Sequence, residues 1–255
     1  MCLILLAWQA HADYPAVIAA NRDEFFNRPT EPAHFWKQHP AVLAGRDLRA
    51  AGTWMGIHRN GRFAALTNFR EPERQRVDAP SRGKLVSNFL VGDQSPQDYW
   101  LELSENAHSY NGFNLICGNL RDTLWHFSNR DRPGARKLDP GIYGLSNDLL
   151  DTPWPKVAKG KSDLGNSLHS LPTDAQLFGL LRDESVHDDA QLPRTGVSLE
   201  WERLLSAAFV RSPDYGTRSS TIVLLDHVGT VCFDEQSFVV GAEMAGRSRF
   251  RFALE

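Results

Sequence analysis

Two stretches decide how this chain folds: Cys2-Leu3-Ile4-Leu5-Leu6-Ala7-Trp8, and Val17-Ile18-Ala19-Ala20 followed at once by Asn21-Arg22-Asp23-Glu24. Each apolar run is the length of a buried strand, and Ala12-Asp13-Tyr14-Pro15 between them is turn chemistry. Ala10-His11-Ala12 has the form of a signal-peptidase site, but no Lys or Arg precedes Arg22. A secretory signal needs a basic start, so the reading is a hairpin. Antiparallel pairing brings the ends of such a hairpin together. Cys2 opens the first strand and the charged tetrad closes the second, so the tetrad is expected beside the chain's own start.

Downstream, 52–58 and 63–68 flank Arg59-Asn60-Gly61-Arg62, and Asn-Gly is a strong hairpin signal. Helical patterns follow. Residues 81–91 carry Leu85, Phe89 and Leu90 on one face, and Ser95-Pro96 caps a helix to about Asn106 with Asp98, Glu102 and Glu105 outside. Strands are expected at 113–117, 123–127 and 142–146. A helical block spans 154–171, 174–181 and 199–209, and a late hairpin pairs 221–225 with 230–233. The acidic stretch 182–189, with Pro193 after it, reads as a surface loop. Clustered strands and clustered helices predict an α+β fold, with two antiparallel sheets face to face and helices outside each, in one domain over 1–255.

The composition narrows the function. The 255 residues carry 28 Lys+Arg against 31 Asp+Glu, a net charge of −3, and 42% are hydrophobic. A near-neutral chain is not a general nucleic-acid binder, and this apolar fraction belongs to a packed protein. No stretch approaches the ~20 apolar residues of a membrane span. Three cysteines, Cys2, Cys117 and Cys232, are too few for a disulfide scaffold. The expected compartment is reducing and cytoplasmic. The nine histidines form neither HxH nor HExxH, so no metal site is expected.

Cys2 is the sharpest candidate site. Removal of Met1 would leave Cys2 with both a thiol and a free α-amine. An α-amine has a pKa near ~8, so part of it is neutral at pH 7 and can act as base to the thiol. In the tetrad, Arg22 near the thiol would lower its pKa, and Asp23 could hold and orient the α-ammonium. Asn68, Asn114 and Asn147 end apolar strands, where side-chain amides suit an oxyanion. Arg218 starts the late strand. Cys117 and Cys232 lie in apolar strand patterns and are expected to pack.

These residues also carry a resemblance. Met1-Cys2, Asn21-Arg22-Asp23-Glu24, Gly52-Thr53-Trp54-Met55-Gly56, Leu66-Thr67-Asn68-Phe69-Arg70 and Ser81-Arg82-Gly83-Lys84-Leu85-Val86 come first. Asn111-Gly112-Phe113-Asn114-Leu115, Gly144-Leu145-Ser146-Asn147, Thr152-Pro153-Trp154-Pro155-Lys156 and Thr217-Arg218-Ser219-Ser220-Thr221 follow in order. Together they resemble the NRDE family, which includes the eukaryotic transport and Golgi organisation 2 proteins. That family is similar to N-terminal nucleophile hydrolases of the choloylglycine hydrolase and penicillin V acylase group. The resemblance implies a four-layer αββα sandwich and an N-terminal cysteine nucleophile matching Cys2. It implies an Arg and an Asp after the second strand, matching Arg22 and Asp23 in kind, although these are adjacent here. Neighbours on a strand point to opposite faces, so only one faces Cys2 unless the strand ends or bulges. It implies orienting amides at Asn68 and Asn147 and a late Arg at Arg218.

The implied activity is hydrolysis of a linear non-peptide amide through an acyl-cysteine, with no cofactor, on a small-molecule or lipid-like substrate. Asp23 would orient the amine, and Arg22 or Arg218 would poise the thiolate. The same resemblance carries an alternative, a haem or lipid/acyl-CoA binding and trafficking protein without turnover.

Overall fold

The computed structural model describes residues 2–132 and 134–255. Strands β1 (Cys2–Trp8) and β2 (Ala16–Phe25) form the expected hairpin, longer at its second strand, with Cys2 opposite Arg22 and Trp8 opposite Ala16. The next strands are β3 (Thr30–Phe35), β4 (Val42–Asp47), β5 (Met55–His58) and β6 (Arg62–Asn68). Helices α1 (Gly83–Val91) and α2 (Pro96–Asn106) precede β7 (Phe113–Asn119), β8 (Thr123–Ser128), β9 (Ala135–Lys137) and β10 (Gly141–Leu145). After α3 (Pro155–Ser167), α4 (Asp174–Leu181) and α5 (Leu199–Leu204) come β11 (Tyr215–Leu225), β12 (Thr230–Phe238) and β13 (Met244–Ala253).

Two antiparallel sheets result. One runs β10-β1-β2-β11-β12-β13 and the other β3 to β9 in chain order. Ile4, Leu6 and Ile18 of the first sheet meet Leu43, Ile57, Phe63 and Ile116 of the second in the central core. The opposite face of β1 and β2 (Leu5, Val17 and Ala19) packs on Val157 and Leu164 of α3 and Leu177 and Phe178 of α4. The outer face of the second sheet (Ala44, Ala64 and Leu115) packs on Leu85, Phe89 and Leu90 of α1 and Tyr99 of α2. The layers are therefore α, β, β, α. Strands buried on both faces read as continuous apolar runs, which is why β1 and β2 show no alternation in the sequence.

The helix at the second outer layer starts where the sequence says. Ser95 Oγ accepts the Asp98 N–H at 3.1 Å, with Pro96 in the first helical turn. Ser95→Ala is expected to cost about 1 kcal/mol, read as a lowered urea midpoint at unchanged slope.

The helix expected over 199–209 stops at Leu204. Tertiary hydrogen bonds take over its last residues. The Leu205 and Ala207 carbonyls accept from Lys156, the Ala208 carbonyl accepts from Asn21, and the Phe209 N–H donates to Asp183 O. Likewise the helix expected over 154–171 is α3 followed by a tight turn at Leu168–Ser170. Among the described residues, no helix is long and apolar enough to cross a membrane, and no cluster of His, Cys, Asp and Glu could hold a metal ion.

Candidate active site

β2 is a central strand, flanked by β1 and β11, and its tetrad alternates between the two faces of the sheet. Asn21 points to the helical layer. Its Nδ2 donates to Leu181 O at 2.7 Å and Ala208 O at 2.8 Å, and its Oδ1 accepts from Ser220 Oγ at 2.6 Å. Every polar atom of that amide is used, so Asn21 fastens the sheet to its helices. Arg22 shares the face of its cross-strand partner Cys2. Its guanidinium lies 4.3 Å from the Trp54 ring and 3.9 Å from Glu24.

Asp23 is buried on the opposite face, where its Oδ1 accepts from Thr217 Oγ1 at 2.7 Å. It follows Arg22, the cross-strand partner of Cys2, and its backbone N–H donates to the Cys2 thiol. Burial pushes its carboxyl up, and the chain terminus, Lys156, Thr217 and Arg22 act against that. Adjacent residues thus serve different faces without a bulge in β2's pairing with β1. Met1 lies outside the described residues, so its removal is a question for mass measurement.

Cys2 is half-buried in a cleft of about 500 Å³ whose wall includes Arg22, Asp23, Glu24, Trp54, Asn68 and Arg82. Burial pushes the thiol up; the positive chain terminus and Arg22 pull it down, and the Asp23 backbone N–H donates to it. Arg82 is buried enough to bring its guanidinium down to about 10, with Cys2 first among the groups that oppose this. Its Nη1 donates to Gly112 O at 2.8 Å. Arg28, Arg49 and Arg76 also border the cleft, together with Glu24 and Asp47. Arg28 is paired with Asp47 at 2.6 Å.

Two glycines make this wall. A Cβ on Gly45 would sit 2.3 Å from the Trp54 ring, so only glycine lets Trp54 lie across β4 and stack on Arg22. A Cβ on Gly52 would sit 2.5 Å from the Gly83 backbone. That close approach allows the Thr53 N–H to reach Gly83 O at 3.1 Å and brings Arg82, just before α1, into the cleft.

The expected amides are placed unequally. Asn68 ends β6 and lines the cleft. Asn147 is buried behind it: its Nδ2 donates to Asn68 O at 2.8 Å, and its backbone carbonyl accepts the Arg70 N–H at 2.7 Å. Asn114 donates to Thr67 Oγ1 at 3.2 Å and Asp148 O at 2.9 Å between strands. Arg218 sits at a bulge in β11 and borders an adjoining cavity of about 440 Å³ that it shares with Arg22 and Trp54. Its Nη1 donates to Phe25 O at 2.9 Å and Arg28 O at 3.0 Å, which holds the β2–β3 turn. Cys117 is buried in the core and Cys232 half-buried on β12.

Arg82 and Lys156 escape a sequence reading centred on the N-terminus. Each had a signal. Both are cations at a helix start, where the macrodipole disfavours positive charge. Lys156 is buried there and Arg82 partly buried, so neither is a freely solvated surface charge.

The fold is thus an αββα sandwich in which the strand that starts with a cysteine opens onto a polar cleft lined by guanidiniums. The chain belongs to the transport and Golgi organisation 2 family, whose model matches residues 1–239. The mouse transport and Golgi organization 2 homolog is 38% identical over 260 residues, covering 94% of each chain. The Drosophila melanogaster transport and Golgi organization protein 2 is 29% identical over 274 residues, covering 93% of this chain and 92% of that one. Among solved structures, a conjugated bile acid hydrolase from Clostridium perfringens is similar at TM-score 0.47 and 13% identity, over 98% of this chain and 92% of that one. A Caenorhabditis elegans N-acylethanolamine-hydrolyzing acid amidase ortholog is similar at TM-score 0.43 and 8% identity, over 88% of this chain and 92% of that one.

Proposed function

We propose that the protein is an N-terminal-cysteine amidohydrolase that cleaves a linear, non-peptide amide through an acyl-cysteine intermediate. One observation carries the reading: Cys2 and Arg22 pair across β1 and β2 at the wall of the cleft, with buried Asp23 donating its backbone N–H to the Cys2 thiol.

With Met1 removed, the neutral α-amine takes the Cys2 proton, and Arg22 and Arg82 stabilise the thiolate. The sulfur attacks the amide carbonyl carbon. The Asn68 side-chain amide donates to the oxyanion, and Asn147 holds Asn68 in place through its 2.8 Å bond. The C–N bond breaks as the α-ammonium protonates the leaving amine, giving a thioester on Cys2. Water then gives a proton to the α-amine and attacks the thioester. The C–S bond breaks, a carboxylic acid leaves, and the thiol is regenerated. Asp23 holds the α-ammonium between these transfers. Arg218 acts at a distance, by fixing the turn that carries Arg28. We place the enzyme in the cytoplasm, since free thiols at Cys2, Cys117 and Cys232 suit a reducing compartment.

Intact-mass measurement is expected to show loss of Met1. Acid-quenched incubation with a panel of N-acyl amides should leave an acyl adduct on the N-terminal peptide. Retention of Met1 in active protein would sink the mechanism. A haem or acyl-ligand carrier would instead show a Soret shift or ligand binding that survives Cys2→Ser.

A further inference from the structure

Lys156 is a buried charge that the chemistry above leaves unused. It lies in the first turn of α3, is 3% exposed, and donates to Leu205 O at 2.9 Å and Ala207 O at 3.4 Å. Lysine is almost never buried to this degree unless it is paired, because an ammonium taken from water loses its hydration. Two neutral carbonyls do not balance that charge.

The charged and titratable groups that act on Lys156 come from three elements: Asp23 on β2, Arg70 after β6 and Cys2 on β1. Asp23 attracts it and Arg70 repels it. Arg70 has its own carboxylate, Glu202 of α5, at 2.7 Å. Geometry brings the two to one segment, 205–210: Lys156 holds the Leu205 and Ala207 carbonyls, Asn21 on the Asp23 face of β2 holds the Ala208 carbonyl, and Thr217 Oγ1 accepts the Val210 N–H at 2.9 Å and donates to Asp23 Oδ1. Glu202 borders the same small cavity as Lys156 but is taken by Arg70 and Thr195. Asp23 is the anion left to act on Lys156, and Lys156 in turn acts on Asp23.

We propose that Lys156 is a positioning residue for this site: its buried ammonium is the counter-charge of Asp23, held in place by the Leu205 and Ala207 carbonyls. The proposal deepens the amidohydrolase reading and rests on it for its functional consequence. Asp23 can hold the α-ammonium of Cys2 only while it is a carboxylate, and its burial works against that form. Thr217 contributes a hydrogen bond at 2.7 Å but no charge. Lys156 supplies a charge from the helical side, out of the cleft, where substrate does not disturb it. Burial brings its ammonium down to about 8, so the support is full at neutral pH and fades as pH rises through that value.

The test is the titration of the Asp23 side-chain carboxyl, followed by carbon-13 NMR on the full-length protein and assigned by its loss in Asp23→Asn. In Lys156→Met the Asp23 midpoint is expected to rise by at least about one pH unit, the size of effect a nearby opposite charge exerts. The acidic limb of the kcat/KM profile should move up with it. Lys156→Arg, which keeps the charge, should bring both back towards the parent value. Lys156→Gln keeps a donor for Leu205 O and serves the same comparison if the Met variant does not fold. An unchanged Asp23 midpoint in a folded uncharged variant overturns the proposal and leaves Lys156 as a fastener of α3. A shifted midpoint in a protein that hydrolyses no amide keeps the Lys156–Asp23 coupling and removes only the enzyme reading.

Discussion

Replacing Cys2 by Ala is expected to lower amide turnover at least about a thousandfold, since the nucleophile has no substitute in the cleft. Thermal stability should barely change. Cys2 is half-buried at the end of β1, and its removal leaves the β1–β2 ladder from Leu3 to Trp8 intact. Cys2→Ser is the sharper variant. A hydroxyl is smaller and fits the same place, but the α-amine ionises it far less readily than a thiol. The serine variant should therefore form an acyl-enzyme slowly while still binding substrate. Single-turnover kinetics would separate the two, with KM near parent and kcat strongly reduced. Wild-type rates in Cys2→Ala would remove the mechanism altogether.

The largest stability effect is expected at Glu202. It is 4% exposed, pairs with Arg70 at 2.7 Å, and accepts from the Thr195 N–H at 2.8 Å and Thr195 Oγ1 at 2.6 Å. Glu202→Leu would leave the Arg70 guanidinium buried without its carboxylate, a loss of about 3–5 kcal/mol. Arg70 is also stacked 4.7 Å from the Trp154 ring, so it cannot easily swing to water. The double variant Arg70→Met with Glu202→Leu should recover most of that loss, because the cost lies in the uncompensated charge more than in the missing bond. Urea midpoints of the parent, both singles and the double close the cycle. The effect reaches the cleft: the Arg70 N–H donates to Asn147 O, and Asn147 donates to Asn68 O. Glu202→Leu should therefore weaken catalysis as well as the fold.

What the sequence discloses follows from how local each signal is. β1 and β2 are legible because both faces are buried and the loop between them, 9–15, carries turn residues. The Cys2–Arg22 pairing follows from that hairpin alone. β3 and β13 are not legible. β3 contains Glu31 and Pro32, and β13 is an exposed edge in which Arg249 and Arg251 alternate with Phe250 and Phe252. Charge of that kind guards an edge and hides the strand. The helix expected over 199–209 fails for a different reason: its carbonyls are claimed by Lys156 and Asn21, which lie far away in the chain. The site divides the same way. Cys2, Arg22 and Asp23 are close in the hairpin, whereas Arg82 and Lys156 reach it only through the packing of whole layers. The part Asn147 plays behind Asn68 depends on side-chain direction, which strand patterns leave open.

The order of strands in the first sheet also sets a timetable. β1 and β2 are made before every other strand described, yet their neighbours in the sheet are β10 and β11, from Gly141–Leu145 and Tyr215–Leu225. The second sheet is a meander from β3 to β9, each strand beside the one made just before it. Pairings close in sequence form fast and distant ones form slowly. During synthesis the meander can therefore pair strand by strand while the leading hairpin waits with both edges open. Thr217, the hydroxyl partner of Asp23, arrives only with β11. The thiol reaches its finished surroundings only once β11 is made, so a chain stalled before Tyr215 carries the cysteine without the arrangement that would make it reactive.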